Sequence, residues 1–173
     1  MPLPTLIVIG GTSGCGKSTV SQALTTQLEG YSYLDGDAFH PASNIEKMAH
    51  GIPLNDEDRA GWLQILSELP LKGEKRVLAC SALKKKYRDV LGQHCPPPGI
   101  RIFLLTLPKN VLLERLATRK GHYAKPNLLD SQLADFELPQ EGEEKRVFAI
   151  DGHRPVVEVV EEILAILNRD RDD

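Results

Sequence analysis

The chain has 173 residues, 41% of them hydrophobic and 26% charged, with a formal net charge of -3. That is enough chain for one good core and too little for two, so one domain over 1–173 is expected. The slight acidity and the scatter of lysine and arginine argue against nucleic-acid binding, and three irregularly spaced cysteines make neither a disulfide framework nor a zinc site.

The first element, Thr5–Ile9, is a short apolar run with the β-branched character of a buried strand. It is too short, and lacks the basic flank, for a signal peptide or a membrane span, so a soluble, cytoplasmic protein with no membrane partner is expected. It leads into Gly11-Thr12-Ser13-Gly14-Cys15-Gly16-Lys17-Ser18, followed by Thr19. This matches G-x-x-x-x-G-K-[ST] between a strand and a helix, where backbone N–H groups and the helix N-terminus face an anion. Gly11, Gly14 and Gly16 allow the close backbone approach. Lys17 is expected at the β- and γ-phosphates of a nucleotide, and the Ser18 hydroxyl on Mg2+. Val20, Ala23, Leu24 and Leu28 then share one helix face.

Strand Tyr31–Leu34 ends in Asp35-Gly36-Asp37. Two carboxylates at the carboxyl end of a strand lie where open α/β sheets bind ligands. The expected division is Asp35 to metal and Asp37 to an acceptor hydroxyl, although a turn or helix cap also explains aspartates there. Asn55 is placed to cap a helix carrying Trp62, Leu63 and Leu66, with Trp62 in the core, and Pro70-Leu71-Lys72-Gly73 breaks it. Strand Arg76–Cys80 follows. Lys84 and Arg88, four apart, are expected to project together from a helix, with Lys85 and Lys86 solvated.

Beyond the stiff Cys95–Gly99 loop come strand Ile100–Thr106 and a helix bearing Arg115 and Arg119, again four apart. The polar interruption from Lys120 to Pro126 suits a hinged lid over roughly 119–137. Strand Arg146–Ile150, the loop Asp151–Pro155 and a helix with Val156, Val159, Val160, Ile163, Leu164 and Leu167 on one face complete the chain, with 168–173 expected as a frayed tail. The alternation implies an α/β three-layer sandwich with a five-stranded parallel sheet.

Three classes of phosphate-loop protein compete for this pattern. A motor or transport ATPase needs more chain. A GTP switch needs a base-reading Asn-Lys-x-Asp, which is absent, and Asp58-Arg59-Ala60-Gly61 imitates the switch Asp-x-x-Gly without a preceding strand. A small-molecule kinase has the support of Asp35 and Asp37.

Leu34–Pro41, Asn44–Met48, Gly51–Arg59 with Trp62-Leu63, Cys80–Asp89 and Arg119–Tyr123 closely resemble the gluconate kinase family, in the family's order and over nearly the whole chain. The resemblance implies ATP:D-gluconate 6-phosphotransfer on a mobile-lidded fold like that of shikimate and nucleoside monophosphate kinases, usually as a homodimer. In related kinases the earlier arginine of such a pair lies over adenine and the later one meets phosphate, which gives those roles to Arg115 and Arg119. Arg154 and Pro155 then lie in the loop that borders adenine. A polyhydroxy acid calls for a cation and several polar groups. Arg59, Lys84 and Arg88 are the candidate cations, with Asp37 and His40 for hydroxyls and His122 and Gln132 on the lid side. Catalysis is assigned to Lys17, Asp37 and Arg119. The alternatives are a kinase of another small hydroxy acid such as shikimate, or a non-catalytic nucleotide-dependent regulatory module. In one departure, the interval from Trp62 to Ser81 is about one helical turn shorter than the family's usual length, compressing the helix and loop before Arg76.

Overall fold

The computed structural model describes residues 2–95, 99–119, 126–140 and 142–172. Its five strands, β1 (Leu6–Gly10), β2 (Tyr31–Asp35), β3 (Lys75–Ala79), β4 (Ile100–Thr106) and β5 (Val147–Asp151), form one sheet in the order β2-β3-β1-β4-β5. Every pairing is parallel; Leu6, for example, stands opposite Arg76 on β3 and Ile100 on β4. Each strand lies within one residue of its expected position. All of β1 is buried, as the unbroken Leu6-Ile7-Val8-Ile9 run requires of a central parallel strand.

The helices are α1 (Lys17–Gln27), α2 (Ala42–Ala49), α3 (Asp56–Ser67), α4 (Lys85–Gly92), α5 (Lys109–Thr118), α6 (Pro126–Asp135) and α7 (Val156–Asp172). Strand side chains alternate between the sheet's two faces. Ile7 and Ile9 join one core with Val20 and Leu24 of α1 and Val159 and Ile163 of α7, while Leu6 and Val8 join a second with Trp62 and Leu66 of α3 and Tyr87 and Leu91 of α4. Helices on both faces make the expected three layers. Where a frayed tail was expected, α7 instead runs on to Asp172.

Asn55 caps α3 as expected and does so reciprocally: its side chain accepts from the Asp58 N–H at 2.8 Å, and Asp58 Oδ2 accepts from the Asn55 N–H at 3.0 Å. The short passage from α3 to β3 is a 3-10 turn, Leu69–Lys72, with Pro70 in its first turn and Leu69 tucked into the core. With β1, β2 and β3 all ending on one edge, the loops after them converge there.

Candidate active site

Gly16 is the N-cap of α1, at φ 95°, a conformation that a side chain rarely adopts, and no side chain caps the helix. The N–H groups of its first turn therefore face outward without a capping oxygen, which suits phosphate. Lys17 Nζ donates to the carbonyls of Gly11 at 3.1 Å and Thr12 at 2.9 Å, folding back along the loop. Ser18 is half-buried beside it and Thr19 is exposed, while Cys15 packs into the core. The Gly11 N–H donates to the Ser81 carbonyl at 3.0 Å, tying the loop to the end of β3.

Arg115 on α5 reaches the Cys15 carbonyl at 3.3 Å and the Gly152 carbonyl at 3.5 Å. It thus spans the phosphate loop and the Asp151–Pro155 loop. Arg154 in that loop pairs with Glu162, with Asp151 at 3.9 Å, and exposed Pro155 precedes α7. Arg119 is exposed and is the C-cap just past α5, with extended backbone at φ -79°, ψ 116°, so it does not share the helix with Arg115, contrary to what their four-residue spacing predicts. His122 lies outside the described residues.

After β2 the chain makes a 3-10 turn, Gly36–Phe39, capped by Asp35, whose Oδ1 accepts from the Asp37 N–H at 3.0 Å. Gly36 is packed so tightly that a Cβ would lie 2.6 Å from the Ala79 carbonyl oxygen. Asp37 and Asp35 are both exposed, but only Asp37 lines the cavity beneath. His40 Nε2 is 3.8 Å from Asp37 Oδ1, and its side chain is only 4% exposed. The imidazole stacks on Trp62, with centroids 4.1 Å apart and planes 15° apart, and Trp62 Nε1 donates to the Gly36 carbonyl at 2.7 Å. Trp62 therefore sits in the core, as expected, and also walls the cavity. Burial holds the His40 pKa below its ordinary value, the nearby Asp37 carboxylate opposing.

The cavity holds about 90 Å3 and brings together Ser13, Lys17, Asp37, His40, Arg59 and Gln132. It is smaller than the ~300 Å3 at which ligand pockets usually begin, and Leu128, Ser131 and Gln132 of α6 are among the residues lining it. Gln132 Oε1 accepts from the Ser13 N–H at 2.7 Å. Arg59 is buried on α3; its Nη1 donates to the Tyr87 hydroxyl and to Asp135 Oδ2, each at 3.0 Å. Lys84 does not line this cavity but an adjoining one that shares Pro53, Leu54 and Ser131 with it, and lies 3.1 Å from Asp56 Oδ1 and 3.4 Å from Asp135 Oδ1. The hydrogen bond to Asp56 raises its pKa, and bonds from Lys86, Tyr87 and Lys84 hold Asp56 below the usual carboxylate range.

Arg88 is not brought to this cavity. Lys84 is the extended N-cap of α4 rather than part of the helix, so the four-residue spacing does not place the two cations together. Arg88 points the other way, into a buried ion pair with Glu144 at 2.7 Å, and donates to the Ala82 and Leu83 carbonyls at 3.0 Å each. Ala82 has φ 47°, unusual outside glycine, so Arg88 braces the strained turn that carries Ser81 and Leu83 into the cavity. Asp135, Asn44, Ser81 and Tyr87 are not among the expected site residues. Asn44, inside the quoted Asn44–Met48 block, and Ser81 and Tyr87, inside Cys80–Asp89, left a trace in the sequence; Asp135 lies in none of the quoted blocks.

A phosphate cradle that opens on a carboxylate and a buried cation, at the carboxyl edge of a 2-3-1-4-5 parallel sheet, is the arrangement of the P-loop kinases. Residues 7–146 match a family model described as an AAA domain. The chain is 41% identical to the gluconokinase of Gluconobacter oxydans, covering 93% of this chain and 90% of that protein. It superposes on a crystal structure of a gluconokinase from Sinorhizobium meliloti with a TM-score of 0.86 at 41% identity, covering 98% of this chain and 94% of that one. The shikimate kinase of Aquifex aeolicus shares the fold, with a TM-score of 0.59 at 20% identity and coverage of 96% and 98%. The chain belongs to the gluconokinase family.

Proposed function

We propose that the protein transfers the γ-phosphoryl group of ATP to the 6-hydroxyl of D-gluconate. One observation carries this beyond family membership: Ser13 and Lys17 of the phosphate loop, Asp37 and the buried cation Arg59 line a single cavity. Lys17 holds phosphate charge, and Asp37 accepts the proton of the acceptor hydroxyl as its oxygen bonds to phosphorus and the bond to ADP breaks. Arg59, with Lys84 on the shared partner Asp135, receives the acceptor's carboxylate. Arg115 lies against the nucleotide beside Arg154 and Pro155, and Arg119 meets phosphate from the lid side, with His122 and Gln132 toward the acceptor. Arg88 serves as a brace.

Mg2+, when bound, neutralises phosphate charge. The Ser18 hydroxyl and the Asp35 carboxylate are hard oxygen donors that fit it, in keeping with an ion held through few protein oxygens and substrate phosphates. No helix of the described residues is long and apolar enough to cross a membrane. A cytoplasmic enzyme working as a homodimer is part of the same reading; buried free Cys15, Cys80 and Cys95 suit a reducing compartment. A coupled assay with ATP against gluconate, shikimate, glucose and nucleoside monophosphates tests it. Gluconate is expected to exceed shikimate by about 10⁴ or more, because a site built for many hydroxyls is left unpaired by the wrong acceptor. Equal use of shikimate overturns the acceptor assignment.

A further inference from the structure

Asn44 on α2 is only 1% exposed, and its role is written in its hydrogen bonds. Its Nδ2 lies 2.8 Å from the Asp58 carbonyl oxygen and 3.2 Å from His40 Nδ1. An amide nitrogen only donates, and a carbonyl only accepts. One of its hydrogens is therefore on Asp58 and the other on His40 Nδ1, which must carry a lone pair; the neutral ring then has its proton on Nε2.

We propose that Asn44 is a positioning residue that fixes His40 in the Nε2–H tautomer, aiming one N–H donor at the acceptor hydroxyl bound by Asp37. This deepens the kinase reading above and rests on it for the identity of the acceptor. The 3.8 Å between His40 Nε2 and Asp37 Oδ1 is too long for a hydrogen bond, yet suits two groups sharing a third oxygen. A hydroxyl there donates its hydrogen to Asp37 and gives one lone pair to His40. Its remaining lone pair is left for phosphorus, so the pair sets the attacking direction as well as the proton's destination. In the opposite tautomer, Nε2 would present a lone pair to two other acceptors.

The rest of the frame keeps the ring from turning. Trp62 stacks on it, while the α3 capping box and Lys47, whose Nζ is 2.7 Å from Asp58 Oδ1, hold Asp58 in place. The charged groups facing the ring are Asp37 on the 3-10 turn, Arg59 on α3 and Asp35 at the end of β2. Burial and Arg59 favour the neutral ring against the two carboxylates.

The test is long-range proton–nitrogen NMR of the labelled, substrate-free protein near neutral pH, with His40→Gln identifying the signal. A neutral ring protonated on Nε2 is expected; a proton on Nδ1 overturns the proposal. Asn44→Asp replaces a donor with an acceptor, so Nδ1 should become protonated, with gluconate kcat falling about tenfold or more and the KM for ATP unchanged. A folded Asn44→Asp protein with the wild-type tautomer and kcat overturns the proposal. Should that variant not fold, His40→Gln, which keeps an N–H donor, should retain at least about tenfold more kcat than His40→Leu; equal loss in both overturns it. Because the spectrum is recorded without substrate, a different acceptor would refute the function and leave the tautomer result standing.

Discussion

Asp135 accepts a hydrogen bond from Arg59 at 3.0 Å, so α6 places its own carboxylate on the cation proposed for the acceptor's. Lys84 is engaged by the same Asp135, and Gln132, one turn earlier, covers the Ser13 N–H. The helix thus stands on both halves of the site at once. Asp135→Asn keeps the shape and removes the competing charge. At saturating ATP, the KM for gluconate should fall about threefold or more, while the melt of the substrate-free protein shows a loss of about 1–3 kcal/mol, because buried Arg59 loses its charged partner. A raised KM would place Asp135 among the groups that hold gluconate instead.

Lys17 lies on the phosphate loop, and among the described residues its ammonium hydrogen-bonds only to loop atoms, two carbonyls and, at 4.0 Å, the Cys15 sulfur. Lys17→Ala should therefore nearly abolish turnover and leave the circular dichroism spectrum and melting temperature close to wild type. Normal turnover in a folded Lys17→Ala protein would remove the phosphate-loop assignment.

Asp37→Asn should cost about 10²–10⁴ in kcat through loss of the base, with the KM for ATP little changed. Asp35→Asn retains an oxygen to cap the Asp37 N–H, so the turn survives. What it loses is charge toward the metal, and the Mg2+ concentration for half-maximal rate should rise. Titrating Mg2+ in both variants separates the two roles; identical titrations would merge them.

Arg88→Ala leaves Glu144 buried without its partner and frees the Ala82 and Leu83 carbonyls. Unfolding in urea should show a loss of about 3–5 kcal/mol. The KM for gluconate of the protein that remains folded should stay within about threefold of wild type, since a brace acts equally on free and bound states.

What could be read from the sequence was local. Strand positions follow from β-branched runs bounded by turns, and the phosphate loop from a spacing that has its meaning within eight residues. Of the two readings open to Asp35, the structure shows the turn cap. Arg88 was misplaced by periodicity because Lys84 has extended backbone at φ -100°, ψ 148°, which breaks the helical repeat at its first member. Asp135 meets Arg59 across 76 residues, and no local pattern encodes that meeting. Asn44 needed coordinates too: its importance lies in which atoms its two hydrogens reach.

Position 36, between the two carboxylates, performs no chemistry, yet its freedom to vary is close to nil. The obstacle to a side chain there is the Ala79 carbonyl oxygen, a backbone atom of the neighbouring strand that cannot swing aside. A library randomised over 35–37 and sorted for folded protein alone should return glycine at the centre and favour capping side chains at 35, while 37 drifts wherever catalysis is not selected. An alignment would score all three positions as equally constrained; the glycine would be recording how closely β2 and β3 are packed, Asp35 in part the cap of its turn, and Asp37 the reaction.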